Sequence, residues 1–259
     1  MPKFSANLSM LFNEVDFIDR FRCAKECGFD AVEYMFPYDY SIASLQAQLQ
    51  EYQLTQVLQN LPAGDWAGGE RGIACLPDRI SEFRDGVELA IEYARALNCP
   101  QINCLIGNTP LSVARDKVDE VVIENLRFAA TALAKENIRL LIEPINKYDM
   151  PAFYLQDTRQ ALAIIDAVGS EDLYIQYDVY HMQRMEGELT QTIKTLLPKI
   201  GHIQIADNPG RHEPGTGEIN YDYLLNALDS MNYNGWVGCE YKPKNATAAG
   251  LSWIKKYQR

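Results

Sequence analysis

The chain has 259 residues, of which 47% are hydrophobic and 23% are charged, a composition that is typical of a globular protein and excludes a disordered or collagen-like chain. Lys and Arg number 24 against 35 Asp and Glu, and the formal net charge of −11 argues against binding to nucleic acid or to a membrane surface, since both need a basic face. The sequence has no apolar run of about 18 residues and no apolar leader at its start, so it predicts a cytoplasmic protein without a membrane span.

Short apolar segments rich in β-forming residues alternate eight times with longer amphipathic segments. In chain order the predicted strands are Phe4–Leu8, Ala31–Met35, Leu54–Gln59, Gln101–Ile106, Arg139–Glu143, Tyr174–Asp178, His202–Ala206 and Val237–Tyr241. The predicted helices that follow them are Glu14–Cys27, Ser41–Glu51, Ser81–Leu97, Val118–Glu136, Thr158–Val168, Thr190–Leu197, Tyr221–Met231 and Thr247–Lys256. Within the third helix, apolar residues from Phe83 to Ala94 recur at helical spacing, which indicates one buried face.

This repetition determines the predicted fold. Eight strand–helix units of about 30 residues account for the whole length and predict one (β/α)8 TIM barrel domain over residues 1–259. Strand segments such as 140–142 and 237–239 lack polar alternation, which is typical of parallel strands buried on both faces. A doubly wound open sheet is the alternative, but no glycine-rich dinucleotide-binding sequence follows the first strand.

The segment after the third strand breaks the regular pattern. Residues 61–77 contain four glycines and two prolines, and long irregular loops in compact domains are usually functional or disordered. Trp66 and the charged pair Glu70–Arg71 favour a lid over an active site, and we expect Trp66 and Glu70 to contact substrate. A surface loop without a functional role is the alternative.

Polar residues lie at or near the ends of the last four predicted strands. They are Glu143, Asp178, Gln204 and Glu240, separated by 35, 26 and 36 residues (178 − 143, 204 − 178 and 240 − 204), which is close to one strand–helix unit each. Because barrel active sites form at the carboxyl ends of the strands, we expect these four side chains to converge. For each residue taken singly, a helix cap or a surface carboxylate is the alternative.

Three carboxylates brought together would repel one another unless a cation lay between them. Carboxylate and carbonyl oxygens suit Mg²⁺ or Mn²⁺ better than zinc, so the sequence predicts a divalent metal at this rim. His181, Arg211 and Lys242 lie close to the strand ends and offset the remaining negative charge. We expect His181 to donate a hydrogen bond to a substrate oxygen and Arg211 to bind an anionic or hydroxylated substrate, and we expect Lys242 to contact substrate as well.

Such a site is suited to moving a proton between neighbouring carbons. A divalent ion bound to two oxygens of an α-hydroxycarbonyl compound stabilises the enediolate that forms when a proton leaves. Two carboxylates such as Glu143 and Glu240 can remove and return that proton. The residues therefore predict an aldose–ketose isomerase or an epimerase acting on a small molecule, and composition does not choose between the two.

The cysteine and histidine content indicates the redox compartment and excludes some alternative functions. The six cysteines form no CxxC pair, which favours free buried thiols in a reducing compartment. A barrel endonuclease with a trinuclear zinc site would need more than the three histidines present and a basic face. Of these, His202 opens a strand and is expected to be structural. A sugar-acid-binding protein without activity is the other alternative, and a homo-oligomer is compatible with the sequence.

Several segments of the chain resemble the hydroxypyruvate isomerase family, within the xylose-isomerase-like barrels. They include residues 4–12 and 36–40, NLPAGDW at 60–66, GERGIAC at 69–75, IQYDVYHMQRMEGELT at 175–190, IQIADNP at 203–209, EPGTGEINYDYL at 213–224 and GWVGCEYKP at 235–243. The similarity covers nearly the whole chain, and the segments from residue 175 onward are long and specific.

The resemblance implies reversible interconversion of hydroxypyruvate and tartronate semialdehyde. It implies that Glu143 and Glu240 are the acid–base groups and that these two bind the metal with Asp178 and Gln204. It also implies that His181 and Arg211 contact substrate. Isomerases of related oxo-acids such as 2-oxo-tetronate, and ketose 3-epimerases, are the alternatives, although the epimerases usually have histidine where Gln204 stands.

Overall fold

The structure is a computed structural model that describes residues 2–257. Eight parallel strands hydrogen-bond in chain order, and the last pairs with the first to close a barrel. The strands are β1 Lys3–Asn7, β2 Ala31–Glu33, β3 Thr55–Asn60, β4 Gln101–Cys104, β5 Arg139–Ile142, β6 Leu173–Asp178, β7 Ile200–Ile205 and β8 Trp236–Cys239. Each overlaps one predicted strand, and the predicted TIM barrel is confirmed.

Helices separate the strands. Over residues 2–257 they are α1 Asp19–Glu26, α2 Ile42–Glu51, α3 Ile80–Leu97, α4 Arg115–Ala134, α5 Thr158–Val168, α6 Val179–Met185, α7 Leu189–Leu196, α8 Tyr221–Ser230 and α9 Thr247–Gly250. The predicted buried face of α3 is present in Phe83, Val87, Ala90 and Ala94, and the helix ends at Asn98 in the left-handed conformation, where asparagine is tolerated better than most residues.

The structure departs from the predicted helices at three places. The first helix begins at Asp19 rather than Glu14, and the Glu14 carboxylate accepts hydrogen bonds from the backbone and hydroxyl of Thr247. The last predicted helix has only one α-helical turn before it continues as a 3₁₀ helix over 251–257. The short helix α6 follows β6 directly, and its seven residues were too few to give a periodic pattern.

The barrel interior is more polar than usual. Branched apolar side chains fill most TIM barrels, whereas here buried polar side chains from five strands bond to one another or to Glu143 inside the barrel: Ser5, Asn7, Glu33, Asn103, Gln176, His202 and Gln204. Glu33 accepts hydrogen bonds from Oγ of Ser5 at 2.7 Å and pairs with Nε2 of His202 at 2.8 Å. A Cβ atom at Gly238 of β8 would lie 2.4 Å from a Glu33 carboxylate oxygen, so a larger residue here would displace the Glu33 carboxylate from its hydrogen bonds.

Two further predictions, free cysteine thiols and no membrane-spanning helix, can be checked within residues 2–257. All six cysteines are free. Two of them, Cys23 on α1 and Cys27 at the carboxyl-terminal end of that helix, are only partly buried. None of the helices within residues 2–257 has the length and apolar character needed to cross a bilayer.

Candidate active site

The four predicted strand-end residues all lie at the carboxyl-terminal rim of the barrel. Glu143 follows β5, Asp178 ends β6, Gln204 lies near the end of β7 and Glu240 follows β8. All four are buried. Asp178 and Gln204 are paired in register across β6 and β7. The predicted convergence is therefore present in the structure.

A cavity of about 190 Å³ opens at this rim. Two of the carboxylates, Glu143 and Glu240, line it together with His181, Arg211 and Lys242. Its other lining residues are mostly apolar: Met10, Met35, Asn60, Trp66, Arg71, Leu105, Ile145, Met150 and Phe153. A larger and more open depression of about 590 Å³ lies on the outer surface and contains none of these carboxylates.

Glu143 is held from one side by amide donors. Its Oε2 accepts hydrogen bonds from Nδ2 of Asn103 at 3.2 Å and Nε2 of Gln176 at 2.9 Å. Burial raises the pKa of Glu143 well above its ordinary value, and the negative charges of Glu240 and Asp178 raise it further. A carboxyl group with a raised pKa can both accept and donate a proton near neutral pH.

Asp178 combines a capping role with a free oxygen. Its Oδ1 accepts hydrogen bonds from the backbone N–H groups of Tyr180 at 2.7 Å and His181 at 3.3 Å, which caps α6. Its Oδ2 is buried and has no hydrogen-bond partner. Because a buried carboxylate oxygen without a partner is costly, this atom indicates a place for a cation.

Glu240 is paired with Arg211. Nη2 of Arg211 donates to Oε2 of Glu240 at 2.9 Å and lies 3.6 Å from Oδ2 of Asp178. Nδ2 of Asn7 donates to the other oxygen of Glu240 at 3.2 Å. Burial raises the pKa of Glu240 to about 8, although the charge of Arg211 acts in the opposite direction. Arg211 thus neutralises part of the negative charge that the rim accumulates.

The hydrogen bonds around His181 determine its tautomer. Oδ1 of Asn146 accepts hydrogen bonds from the backbone of Tyr148 and Asp149, so the Asn146 amide turns its Nδ2 donor toward Nδ1 of His181 at 2.6 Å. The backbone N–H of Asn146 also points to Nδ1 at 3.3 Å. Burial lowers the pKa of His181 to about 3, so the neutral ring carries its proton on Nε2.

That proton gives His181 the predicted role of a donor. Nε2 lies 3.8 Å from Oε1 of Glu143 and 3.7 Å from Oδ2 of Asp178. Ligand atoms of these three residues all fall within 4.8 Å of one another, which is suitable for a shared ion. However, Nε2 would have to lose its proton to bind a metal, and Nδ1 already accepts from two donors. The imidazole is therefore better suited to donate to a substrate oxygen.

The residues fit a divalent cation, as judged by the donors themselves. When all three are ionised, the buried carboxylates carry more negative charge than Arg211 alone offsets, and Oδ2 of Asp178 has no hydrogen-bond partner. Their oxygens are the hard ligands that Mg²⁺ and Mn²⁺ prefer. Gln204 offers its Oε1, which also accepts from Nε2 of Gln176 at 2.7 Å.

A network of buried side chains links the two glutamates of the cavity, and sequence reasoning identified only Gln204 among its members. It consists of Asn7, Glu33, Gln176 and Gln204, and we call it the interior amide network. Gln176 joins Glu143 to Gln204, and Nε2 of Gln204 donates to Oε1 of Glu33 at 2.8 Å. Asn7 then joins Glu33 to Glu240. The available signal was the polar residue inside an otherwise apolar strand, as in Ala31-Val32-Glu33-Tyr34.

The loop between β3 and α3 covers one side of the cavity. Trp66, a predicted substrate contact, lines the cavity, and so does Arg71, which the sequence analysis named in this loop but not as a substrate contact. The structure does not bring Glu70 to the cavity. Its carboxylate instead accepts hydrogen bonds from the backbone of Asp65 and from Nη1 of Arg79. We therefore remove Glu70 from the expected substrate-binding residues.

Comparisons with known proteins agree with this geometry. Residues 21–257 match the family described as "Xylose isomerase-like TIM barrel". The chain is 60% identical over 258 residues to hydroxypyruvate isomerase of Escherichia coli, covering 100% of both chains, and 46% identical to 2-oxo-tetronate isomerase of Cupriavidus necator, covering 99% of both. A solved structure titled AP endonuclease, family 2, from Brucella melitensis superposes with a TM-score of 0.97 at 45% identity and full coverage of both chains. The chain belongs to the xylose isomerase-like TIM barrel family.

Proposed function

We propose that this protein is a hydroxypyruvate isomerase, which interconverts hydroxypyruvate and tartronate semialdehyde. The observation that carries the proposal is the pair of buried glutamates, Glu143 and Glu240, that line one cavity of about 190 Å³. The 60% identity to a hydroxypyruvate isomerase over the full chain supports this substrate. Hydroxypyruvate has three carbons, which suits a cavity of this size.

The reaction moves one proton between neighbouring carbons. One carboxylate removes a proton from C3 of hydroxypyruvate, and the electron pair forms an enediolate. A proton then returns to C2 from the other carboxyl group, and the proton of the C3 hydroxyl passes to the C2 oxygen. The C3 oxygen thereby becomes the aldehyde carbonyl and the C2 oxygen becomes a hydroxyl. Glu143 and Glu240 are suited to these steps because burial raises the pKa of both. His181 and Arg211 donate hydrogen bonds to the substrate oxygens as negative charge develops.

The residues that would hold a divalent cation are Glu143, Asp178, Gln204 and Glu240. Mg²⁺ is the expected ion and Mn²⁺ is the alternative. Such an ion, when bound, supplies Lewis-acid stabilisation of the charge that develops on the substrate oxygens. A divalent metal is also typical of the fold family and is supported by the unpartnered Oδ2 of Asp178.

Other substrates are less well supported. 2-Oxo-tetronate isomerase relatives are 46% identical or less, and their name indicates an oxo-acid one carbon longer. Among residues 2–257 the one cluster of possible metal ligands contains a single histidine, and the net charge is −11, which disfavours an endonuclease. We also propose a reducing location such as the cytoplasm, which the six free cysteines support.

The direct test follows the proton. The protein is incubated with hydroxypyruvate in D₂O with Mg²⁺, Mn²⁺ or a chelator, and products are identified by NMR. We expect tartronate semialdehyde carrying deuterium at C2, faster with either ion than with chelator. 2-Oxo-tetronate is run in parallel, and Glu136→Gln on the outer surface serves as the control variant. Absence of deuterated product with either ion, or preference for 2-oxo-tetronate, would contradict the proposal.

A further inference from the structure

Arg71 is a positively charged side chain that lines the cavity and has no role in the proton transfer proposed above. It lies on the loop between β3 and α3 and lines the cavity beside Trp66. Across the same cavity lie Glu143, Arg211 and Glu240. Its guanidinium is therefore available to a small molecule whose other end reaches the two glutamates.

The Arg71 guanidinium is fixed before any ligand binds. It stacks on the Trp66 ring at 4.2 Å, and that ring packs against Phe36 at 5.1 Å. Nη1 donates to the backbone carbonyls of Trp66 at 3.0 Å and Glu70 at 2.6 Å. The next residue, Gly72, has φ +111°, and a Cβ there would lie 1.9 Å from the carbonyl oxygen of Leu105. A donor held in place in this way loses little entropy when it binds an anion.

Arg71 also lacks a carboxylate partner. No acidic side chain within residues 2–257 lies within 4.0 Å of its charged nitrogens, whereas Nη2 of Arg211 donates a hydrogen bond to Glu240 at 2.9 Å. The adjacent Glu70 is bound to Arg79 instead, with 2.7 Å between Oε1 and Nη1. Since Nη1 of Arg71 is occupied by carbonyls, the edge formed by Nε and Nη2 is free to form a bidentate pair with a carboxylate.

We infer that Arg71 is the subsite for the substrate carboxylate and selects oxo-acids over neutral ketoses. This inference rests on the proposed function, because hydroxypyruvate places its carboxylate at the end opposite the C3 proton. The exposed Lys242 adds positive charge at the cavity, and Leu105 and Phe153 contribute apolar surface to its lining. Arg211 remains with the reacting oxygens.

The test compares an acid with its neutral counterpart. Dihydroxyacetone has CH₂OH where hydroxypyruvate has its carboxylate, and its isomerisation to glyceraldehyde uses the same proton transfer. We expect Arg71→Gln to raise KM for hydroxypyruvate about 10- to 100-fold, with KM for dihydroxyacetone unchanged. Arg71→Lys, which keeps the charge but not the fork, should give a smaller rise. Arg84→Gln is the matched control, since Arg84 lies over the Phe128 ring at 4.9 Å, far from the cavity.

A binding measurement separates this inference from the proposed function. Pyruvate has the carboxylate but no C3 hydroxyl, so its affinity is measured by calorimetry in the presence of EDTA, without turnover or metal. Wild-type and Arg84→Gln proteins should bind it equally, and Arg71→Gln at least about 10-fold more weakly. If wild-type protein isomerises neither acid yet Arg71 is needed for pyruvate binding, the proposed function fails and the subsite stands. Unchanged KM and pyruvate affinity in Arg71→Gln, or equal losses on both substrates, would overturn the subsite.

Discussion

Glu33 and Glu240 share one hydrogen-bond donor, since Nδ2 of Asn7 lies 3.2 Å from Oε1 of each. Glu33 lies in the middle of the barrel and Glu240 lines the cavity at its rim. Because Oδ1 of Asn7 accepts from the backbone of Ser9, the amide cannot turn away from the carboxylates. The position of an acid–base group is thus linked to a carboxylate in the barrel interior.

Removing the charge of Glu33 should weaken both folding and catalysis. Glu33 accepts hydrogen bonds from Ser5, Asn7 and Gln204 and pairs with His202. Glu33→Gln replaces one of the two accepting oxygens with an NH2 group, which cannot accept from these donors. We expect the free energy of unfolding to fall by about 1–3 kcal/mol and kcat to fall with little change in KM. Urea denaturation and steady-state kinetics measure the two effects.

Ser5→Ala is the control for that substitution, because it removes one donor to Glu33 and leaves the amides in place. It should cost about 1 kcal/mol of unfolding free energy and leave kcat near the wild-type value. If Glu33→Gln is no less stable than Ser5→Ala, the interior amide network does not depend on the Glu33 charge.

The two-carboxylate mechanism predicts large losses from small changes. Glu143→Gln and Glu240→Gln keep the shape of each side chain but remove its proton transfer, so each should lower kcat by about 10²–10⁴. Both variants should fold, as circular dichroism can check. Glu136→Gln is the matched control. Turnover close to wild type from either cavity variant would remove that residue from the acid–base pair.

Metal affinity distinguishes a carboxylate ligand set from one that includes the imidazole. Asp178→Asn retains an oxygen that can cap α6 but loses the charge at the unpartnered Oδ2. We expect it to weaken Mn²⁺ binding by at least about 10-fold in calorimetry, since the ion prefers anionic oxygen. His181→Gln should leave Mn²⁺ affinity nearly unchanged, because Nε2 of His181 carries a proton. The opposite ranking of the two variants would make His181 a ligand.

Stability without a metal should depend on pH in an unusual direction. Burial raises the pKa of Glu240 to about 8, whereas an unfolded glutamate has an ordinary pKa of about 4.3. Between these values the folded protein binds a proton that the unfolded chain has lost, so the free energy of unfolding should fall as pH rises from 5 to 8. Urea denaturation with chelator measures this slope.

Glu240→Gln provides the control for the pH effect. It should reduce the slope without abolishing it, because the pKa of Glu143 is raised as well and contributes with the same sign. Saturating divalent cation should also reduce the slope, since the ion replaces the protons. An identical slope in wild-type and Glu240→Gln proteins would show that Glu240 does not titrate in this range.

The sequence predicted the barrel well because strand and helix patterns are local and repeat. It also placed Glu143, Asp178 and Glu240 together, since strand ends in a parallel barrel meet at one rim. It selected Glu70 rather than Arg71 as a substrate contact, because the side chain that enters the cavity depends on the loop backbone, including the positive φ of Gly72. The single-domain assignment for residues 1–259 stays a prediction.

The hydrogen bonds between side chains inside the barrel could not be predicted from the sequence, for a different reason. Glu33 and Gln176 lie on separate strands, and nothing in the spacing between them in the chain shows that Gln204 joins the two. The polarity of single positions within apolar strands was visible, but a partner across the barrel follows only from the closed sheet. The same holds for Gly238, whose small size matters only because Glu33 lies opposite.

The separation between the Arg71 loop and the interior amide network affects how new specificities can arise. Acid–base residues are tied to one another through four strands and the barrel centre, so exchanging one of them disturbs several partners at once. Trp66 and Arg71 make their contacts within the loop and with Phe36. Selection or engineering can therefore change the preferred substrate by altering the loop while the proton-transfer machinery stays intact.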